Sequence, residues 1–367
     1  MVNCKLIVVL CVLTVVWGRN TIAQQQNRPL RMAVAGVTHG HSSWIFGSKK
    51  TADVDIVGIS EKDAVVLRKF ADKYAVPERL LYADLEQMLD VVRPEAVVAF
   101  GSIYNHMLVV EACAKRNIHV MVEKPLATNI QHAKKIKKLA DETGIHVLTN
   151  YETSWYPTTA KAIDFVNEGS IGTLRKAVMH HGHRGPKGFV ADEFLSWLTD
   201  PILNGGGALI DFGCYGANIM TNLMKGLRPV SVTAITRQFK PQDYPDVDDE
   251  ATIVVDYTSA QCIIQASWNW PFGRKDMELY GESGFIVCMD NSNMRMRQQG
   301  KQEEVLQIGR DETGTYENPF SYFKGVIRGD ITPDPHSLYT LENNLLTVEI
   351  LDAARRSAKS GKRIYLD

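Results

Sequence analysis

Between residues 31 and 149, short apolar runs alternate with helix-length segments, and this alternation leaves few folds open. The runs are Arg31–Gly36, Val54–Ile59, Ala96–Phe100, Ile118–Val122 and His146–Thr149. Helical patterning follows each of the first four: a helix starting near Ser42 or Ser43, then Ala64–Tyr74 and Leu85–Val92, Tyr104–Arg116, and Gln131–Thr143. Strands alternating with helices of this length predict a parallel, doubly wound α/β sheet. Such sheets bind their ligands beyond the carboxyl ends of the strands.

Two of those strand ends carry chemistry. The Ile118 run stops at Glu123-Lys124-Pro125-Leu126-Ala127, where proline cannot continue a ladder. A lysine held there beside a carboxylate can polarise or protonate a substrate oxygen. The Arg31 run ends at Gly36 and leads through Val37-Thr38-His39-Gly40-His41 into a helix, the entry to a dinucleotide-binding unit. Its glycine fingerprint is degenerate. Thr38 stands at the second glycine position and His41 at the third, with Gly40 displaced by one. A hydroxyl from Thr38 is expected to replace the lost close approach of backbone to a diphosphate. Glu61 lies 25 residues beyond Gly36, the place for an acid on the adenosine ribose. His39 and His41 resemble a metal pair, but no acid lies near them in sequence. They are read as turn or pocket residues, and no metal is assigned.

From about Tyr151 the texture changes. A helix over Thr158–Asn167 is followed by β-rich segments at Leu174–Met179, Pro229–Gln238, Ala251–Tyr257, Gln261–Trp268, Asp276–Tyr280 and Gly284–Asp290. Neighbouring strands without helices between them predict an α+β domain with a large, mostly antiparallel sheet. An amphipathic helix near Leu338–Ser357 is expected to pack back on the first domain. Within this half, Gly205-Gly206-Gly207 precedes Ala208-Leu209-Ile210-Asp211-Phe212-Gly213-Cys214-Tyr215. If that stretch is helical, Asp211 and Tyr215 share one face, an acid and a phenol suited to proton transfer. The acidic run Asp246–Glu250 is read as a solvated turn.

A chain of 367 residues with 45% apolar content has room for two domains. Its net charge of −1 gives no reason to expect nucleic acid or an acidic membrane as partner. Lys5, the apolar run Leu6–Val16, and Thr21 and Ala23 at cleavage-site spacing read as a Sec-type signal peptide over residues 1–23. The protein is therefore expected to be periplasmic or extracellular, with no membrane span after cleavage. The domains are then 30–150 and 151–367. Cys113, Cys214, Cys262 and Cys288 lie in apolar segments and are read as buried free thiols.

Taken together, Glu123-Lys124-Pro125, the glycine run through Tyr215, Asn105-His106, Gly169-Ser170-Ile171-Gly172 and Trp268-Asn269-Trp270-Pro271 resemble the Gfo/Idh/MocA oxidoreductases. The tyrosine at 215 is similar to the glucose-fructose oxidoreductase, dihydrodiol and xylose dehydrogenase branch. The resemblance implies an N-terminal Rossmann domain binding NAD, with NADP not excluded, and a C-terminal open sheet used for homo-oligomerisation. It implies cofactor contacts from Gly36, Val37, Thr38, His39, Gly40, Glu61, Ser102, His106 and Glu123. Lys124 matches the catalytic lysine and Asp211 the substrate-orienting acid. Tyr215 is expected to take the hydroxyl proton of a sugar or polyol, its pKa pulled down by the nearby ammonium. Trp155, His181, His183 and Arg184 are expected to touch the sugar. The reading is an exported, sugar- or polyol-oxidising enzyme. Its alternatives are an NAD-dependent glycosidase working by oxidation, elimination, hydration and reduction, and a sugar-binding protein without cofactor. The intact Lys124, Asp211 and Tyr215 set speaks against the last.

Overall fold

The computed structural model of the chain describes residues 28–47 and 52–366, and the stretch read as a signal peptide lies outside the described residues. Strands β1 (Leu30–Ala35), β2 (Val54–Ser60), β3 (Leu81–Tyr82), β4 (Ala96–Ala99), β5 (His119–Glu123) and β6 (Val147–Asn150) form the first sheet. Between them run α1 (Ser42–Phe46), α2 (Ala64–Tyr74), α3 (Leu85–Val92), α4 (Ile103–Ala114) and α5 (Ile130–Thr143). The strand order is β3-β2-β1-β4-β5-β6, and each neighbouring pair is parallel. This is a Rossmann sheet whose order reverses between β1 and β4, where such folds hold their ligands. The helix starts follow local chemistry. Asp63 accepts from the amides of Val65 and Val66 to cap α2, and Asn129 accepts from His132 to cap α5.

The second half contains α6 (Pro157–Asn167), β7 (Leu174–Gly182), α7 (Asp192–Leu198), α8 (Ala208–Asp211) and α9 (Gly213–Leu223). It continues with β8 (Ser231–Arg237), β9 (Glu250–Asp256), β10 (Gln261–Ser267), β11 (Arg274–Gly281), β12 (Gly284–Cys288), β13 (Asn293–Gln298) and β14 (Glu304–Gln307). Helices α10 (Pro319–Arg328) and α11 (Leu341–Ser360) and strand β15 (Ile364–Tyr365) complete it. The sheet order is β14-β13-β12-β11-β7-β10-β9-β8-β15, antiparallel throughout except where β7 and β10 run parallel. One face packs on α9 and α11. The other carries half-buried Val178, Val254, Ile263 and Val287.

Two helices from the end of the chain complete the first domain. Phe320, Phe323 and Val326 of α10 pack with Met32, Val34, Ile59 and Phe100. Burying each phenylalanine there contributes about 1.5–3 kcal/mol. Leu341 and Val348 of α11 join Val120, Val122 and Ile136 on the opposite face. Ion pairs from Lys324 to Asp53 and from Arg328 to Glu95 mark the first of these contacts.

Sequence and structure differ at several points of the second half. The helix expected from Ala208 onward breaks at Phe212 into α8 and α9. Strand β7 runs on to Gly182, so His180 and His181 lie in the sheet and not in the loop after it. The acidic run is no solvated turn. The Asp248 carboxylate accepts from the amides of Gly207 and Leu209, and buried Asp249 accepts from those of Phe239 and Lys240. A Cβ on Gly207 would stand 1.7 Å from the Asp248 carbonyl oxygen, which explains that glycine. Cys113, Cys214, Cys262 and Cys288 are buried and unpaired with one another. No helix among the described residues is long and apolar enough to cross a membrane.

Candidate active site

A cavity of about 1290 Å³ opens where the carboxyl ends of the Rossmann strands meet β7, β11 and α8. Lys124 enters it from the residue after β5. Its ammonium donates to the carboxylate of Asp211 and, at 3.0 Å, to the Asp211 carbonyl oxygen. Two of its three donors are thus used, and the third remains for a ligand. Burial works against the charge on Lys124, but Asp211 outweighs it and the lysine pKa is raised. Burial likewise opposes ionisation of Asp211, yet Lys124 holds its pKa below the usual carboxylate range. Both partners are charged at neutral pH. The Asp211 Oδ2 is fixed by the indole of Trp268 at 3.0 Å.

Tyr215 lines the same cavity, with Lys124 Nζ and Lys275 Nζ each 5.2 Å from its ring centre. The sequence led us to expect a depressed phenol pKa. Burial instead raises it well above 10, reinforced by the carboxylates of Glu152, Asp211 and Glu123. The lysines are already matched to carboxylates and do not reverse this. Tyr215 therefore presents a proton. Behind it, His181 stacks on its ring at 5.2 Å between centres, buried and outside the cavity lining.

His183 and Arg184 do line the cavity. His183 Nδ1 accepts from the Gly185 amide at 2.9 Å, and burial lowers its pKa, so the neutral ring offers Nε2–H as a donor. Trp155 does not touch the cavity. It lies in the core on Tyr339, and its indole donates to Asn150. Its aromatic surface serves packing because the short helical turn after β6 folds it under the sheet.

Glu152, Tyr156 and Lys275 also face the cavity, and sequence reasoning missed them. Tyr156 donates to Glu152 at 2.6 Å, and Glu152 pairs with Lys275. Burial opposes ionisation of Glu152, but Lys275 brings its pKa down to about 2. Glu152 follows the end of β6, so the strand-end argument that found Lys124 applies to it too. Lys275 is set by its register opposite His181, which no local pattern encodes.

The glycine turn fits a dinucleotide. Gly36 has φ +76°, and a Cβ there would come within 2.7 Å of the Gly101 amide, so β1 and β4 meet with no room for a side chain. The Val37 amide donates to Glu61 Oε2 at 3.3 Å, which holds that acid beside the turn while Lys62 points to solvent. Ser102 Oγ and His106 Nε2, at the start of α4, are buried without a partner among the described residues. Orphaned polar atoms at the switch point are what an absent polar ligand leaves behind. Thr38 is not free to donate to a diphosphate as expected. Its hydroxyl accepts from Trp197 at 2.9 Å and lies 3.5 Å from the Phe100 carbonyl oxygen. Helix α7 thus lies against the turn, with Phe194 over the His39 ring. Glu123 is also occupied, accepting from Asn150 at 2.7 Å and meeting His41 Nδ1 at 3.0 Å.

Fold and site together define a dinucleotide-type Rossmann protein with a charged pocket between its two domains. The profile of the oxidoreductase family with an NAD-binding Rossmann fold matches residues 30–151, and that of the GFO/IDH/MocA C-terminal domain matches residues 159–287. The chain belongs to the Gfo/Idh/MocA oxidoreductase family. A trans-1,2-dihydrobenzene-1,2-diol dehydrogenase of Xenopus laevis is 25% identical over 222 residues, which are 59% of this chain and 61% of that protein. The chain thus matches about three-fifths of the length of that relative. A D-xylose 1-dehydrogenase [NADP(+)] of Haloarcula marismortui is 21% identical across 87% of this chain and 83% of its own. Among solved structures, aldose-aldose oxidoreductase from Caulobacter crescentus, complexed with glycerol, superimposes with TM-score 0.77 at 19% identity. It covers 92% of this chain and 100% of that one. An inositol dehydrogenase homolog from Azotobacter vinelandii, complexed with NAD+, gives 0.79 at 17% identity, covering 93% of this chain and 98% of its own.

Burial of histidines sets an acid limit on the fold. Burial lowers the His106 pKa to about 4 and the His181 pKa to about 3. Their unfolded values lie near 6.5, so below that pH the unfolded chain binds more protons and stability falls. The contribution of these neutral rings is full above pH 6.5 and is lost progressively as pH drops towards 4. Thermal melting from pH 7.5 to 4.5 should show Tm falling steadily below 6.5. His181→Phe, which keeps the stack on Tyr215, should flatten that dependence, and an unchanged slope would contradict the assignment.

Proposed function

We propose that the protein is an exported, NAD-dependent oxidoreductase acting at a CH–OH or C=O carbon of a sugar or polyol. The observation that carries this reading is the Lys124–Asp211 ion pair beside a protonated Tyr215, in a cavity at the switch edge of a Rossmann sheet. NAD held along Gly36, Val37, Glu61, Ser102 and His106 would supply the hydride acceptor or donor. The chain's own residues handle charge and protons. The free N–H of Lys124 binds the reacting oxygen and stabilises negative charge there, a type of contact worth roughly 3–4 kcal/mol in the transition state. Tyr215 gives a proton to that oxygen on reduction and takes one back on oxidation. As the groups stand, an ammonium and a neutral phenol, the site is set for carbonyl reduction. His183 donates to a neighbouring sugar oxygen and Glu152 accepts from another. Asp211 keeps Lys124 charged and in place.

A cycle that returns the cofactor to its starting state suits a location without a nicotinamide pool. Oxidoreduction between two sugars does this, and so does the glycosidase route. The size of the cavity, with exposed Phe189 and Phe272 at its rim, favours a substrate larger than one sugar ring and keeps the second route in view. The half-buried apolar face of the second sheet supports a homo-oligomer built through it. Protein purified from the exported fraction without added nucleotide should release dinucleotide on denaturation, and Glu61 predicts NAD over NADP by repelling a 2′-phosphate. Empty sites that demand stoichiometric NAD from solution would refute the retained cofactor. Bound NADP would refute the role of Glu61. Free sugar released from a glycoside, with no cofactor added, would select the glycosidase.

A further inference from the structure

We propose that His39, His41 and Glu123 form a site for a divalent transition metal, open to the cavity. No acid lies near the two histidines in sequence, but β5 brings one to them in space. One ligating atom from each of the three lies within 4.8 Å of the other two. His41 Nδ1 is 3.0 Å from Glu123 Oε2, and His39 Nε2 is 3.9 Å from the same oxygen. Nitrogen and oxygen ligands about 2.0–2.2 Å from an ion stand roughly 3.0–3.4 Å apart, so the His41–Glu123 pair already fits and the wider separations close by inward shifts of the rings.

The groups around these three behave as the outer shell of a metal site does. The His39 Nδ1 accepts the His41 amide at 3.1 Å, which turns Nε2 towards Glu123. The second oxygen of Glu123 is held by Asn150, and Asn150 is held in turn by the Trp155 indole at 2.8 Å. His39 is wedged against Phe194, and His41 stacks on Trp44 at 3.9 Å between centres. Glu123 is almost fully buried, and its only ion-pair partners among the described residues are these two histidines. The neighbouring Lys124 is committed to Asp211. A buried carboxylate whose ion-pair partners are imidazoles gains a full counter-charge from a cation.

Two imidazoles and one carboxylate suit Zn²⁺, Fe²⁺ or Mn²⁺ and disfavour Mg²⁺ and Ca²⁺, which take oxygen ligands. Three protein ligands leave coordination positions unfilled. His39 and His41 both line the cavity beside Lys124 and Asp211. An ion there would offer those positions to an oxygen of whatever molecule the cavity holds.

The test uses the purified chain, stripped with chelator and free of nucleotide. Calorimetric titration with Zn²⁺ alone should give one tight site per chain. Glu123→Gln and His41→Gln should each weaken it at least tenfold. His146→Gln, at the opposite end of the first sheet, should leave it unchanged. Should either site variant fail to fold, Co²⁺ added to the unmodified protein still decides. A visible absorption band of low-symmetry nitrogen–oxygen coordination supports the site. Absence of binding by the unmodified protein, a featureless Co²⁺ spectrum, or equal Zn²⁺ affinity in both folded variants would overturn it.

Discussion

Lys124→Met should abolish turnover and leave the dinucleotide bound. The lysine reaches Asp211 across the domain boundary and holds one donor free for the reacting oxygen, whereas the glycine turn and Glu61 lie on other strands. Losing this ammonium removes charge stabilisation that is present only in the transition state, so kcat should fall by at least about 10³-fold. The methionine also strands a buried carboxylate, which lowers stability by about 3–5 kcal/mol unless Asp211 takes up a proton. Lys124→Arg separates the two effects. It keeps the pair with Asp211 and hence the melting temperature, but a planar guanidinium cannot turn one donor to the substrate as an ammonium does. A Lys124→Arg protein with near-normal kcat would show that charge alone suffices. A Lys124→Met protein that no longer binds NAD would place the lysine in the cofactor site.

Tyr215→Phe should lower kcat by roughly 10²–10⁴-fold, the range for loss of a positioned proton donor or acceptor. The ring stays on His181 and beneath the two lysines, so folding and cofactor binding should be intact. The phenol pKa is raised, mainly by burial, so the protonated form predominates across neutral pH. In the unmodified enzyme, oxidation of the alcohol should therefore quicken as pH rises while reduction stays level. The phenylalanine variant should lose that difference. Near-normal rates at saturating substrate would make Tyr215 a packing residue.

The first domain was almost fully readable, because each buried parallel strand shows itself as an apolar run and each crossover helix by its period. Lys124, Glu61 and Gly36 were legible for one reason: they stand at strand ends, where the fold itself assigns ligand positions. Strand β13 and the edge strand β14 were not anticipated. Half-exposed strands carry polar residues on one side, so Asn293–Gln298 has little apolar signal. Trp155 and His181 were misplaced because an aromatic residue near a sheet mouth can face inward or outward, and only the packing of Tyr339 and Tyr215 decides. The Glu152–Lys275 pair joins segments 123 residues apart, a separation at which register alone sets proximity. The acid beside His39 and His41 escaped for the same reason, since Glu123 is 82 residues from His41.

The placement of α10 and α11 bears on how the chain is made. Synthesis delivers β1 to β6 first, yet the helices that complete both faces of their sheet follow more than 160 residues later. Until then Met32, Val34 and Phe100 on one side, and Val120 and Val122 on the other, are covered only by the helices of the first half. A Rossmann half without its closing helices buries less apolar surface and is a weaker folding unit, so its stability rises only when those helices are made. That delay suits the export proposed above, because a channel that threads extended polypeptide accepts only chains that have not yet folded.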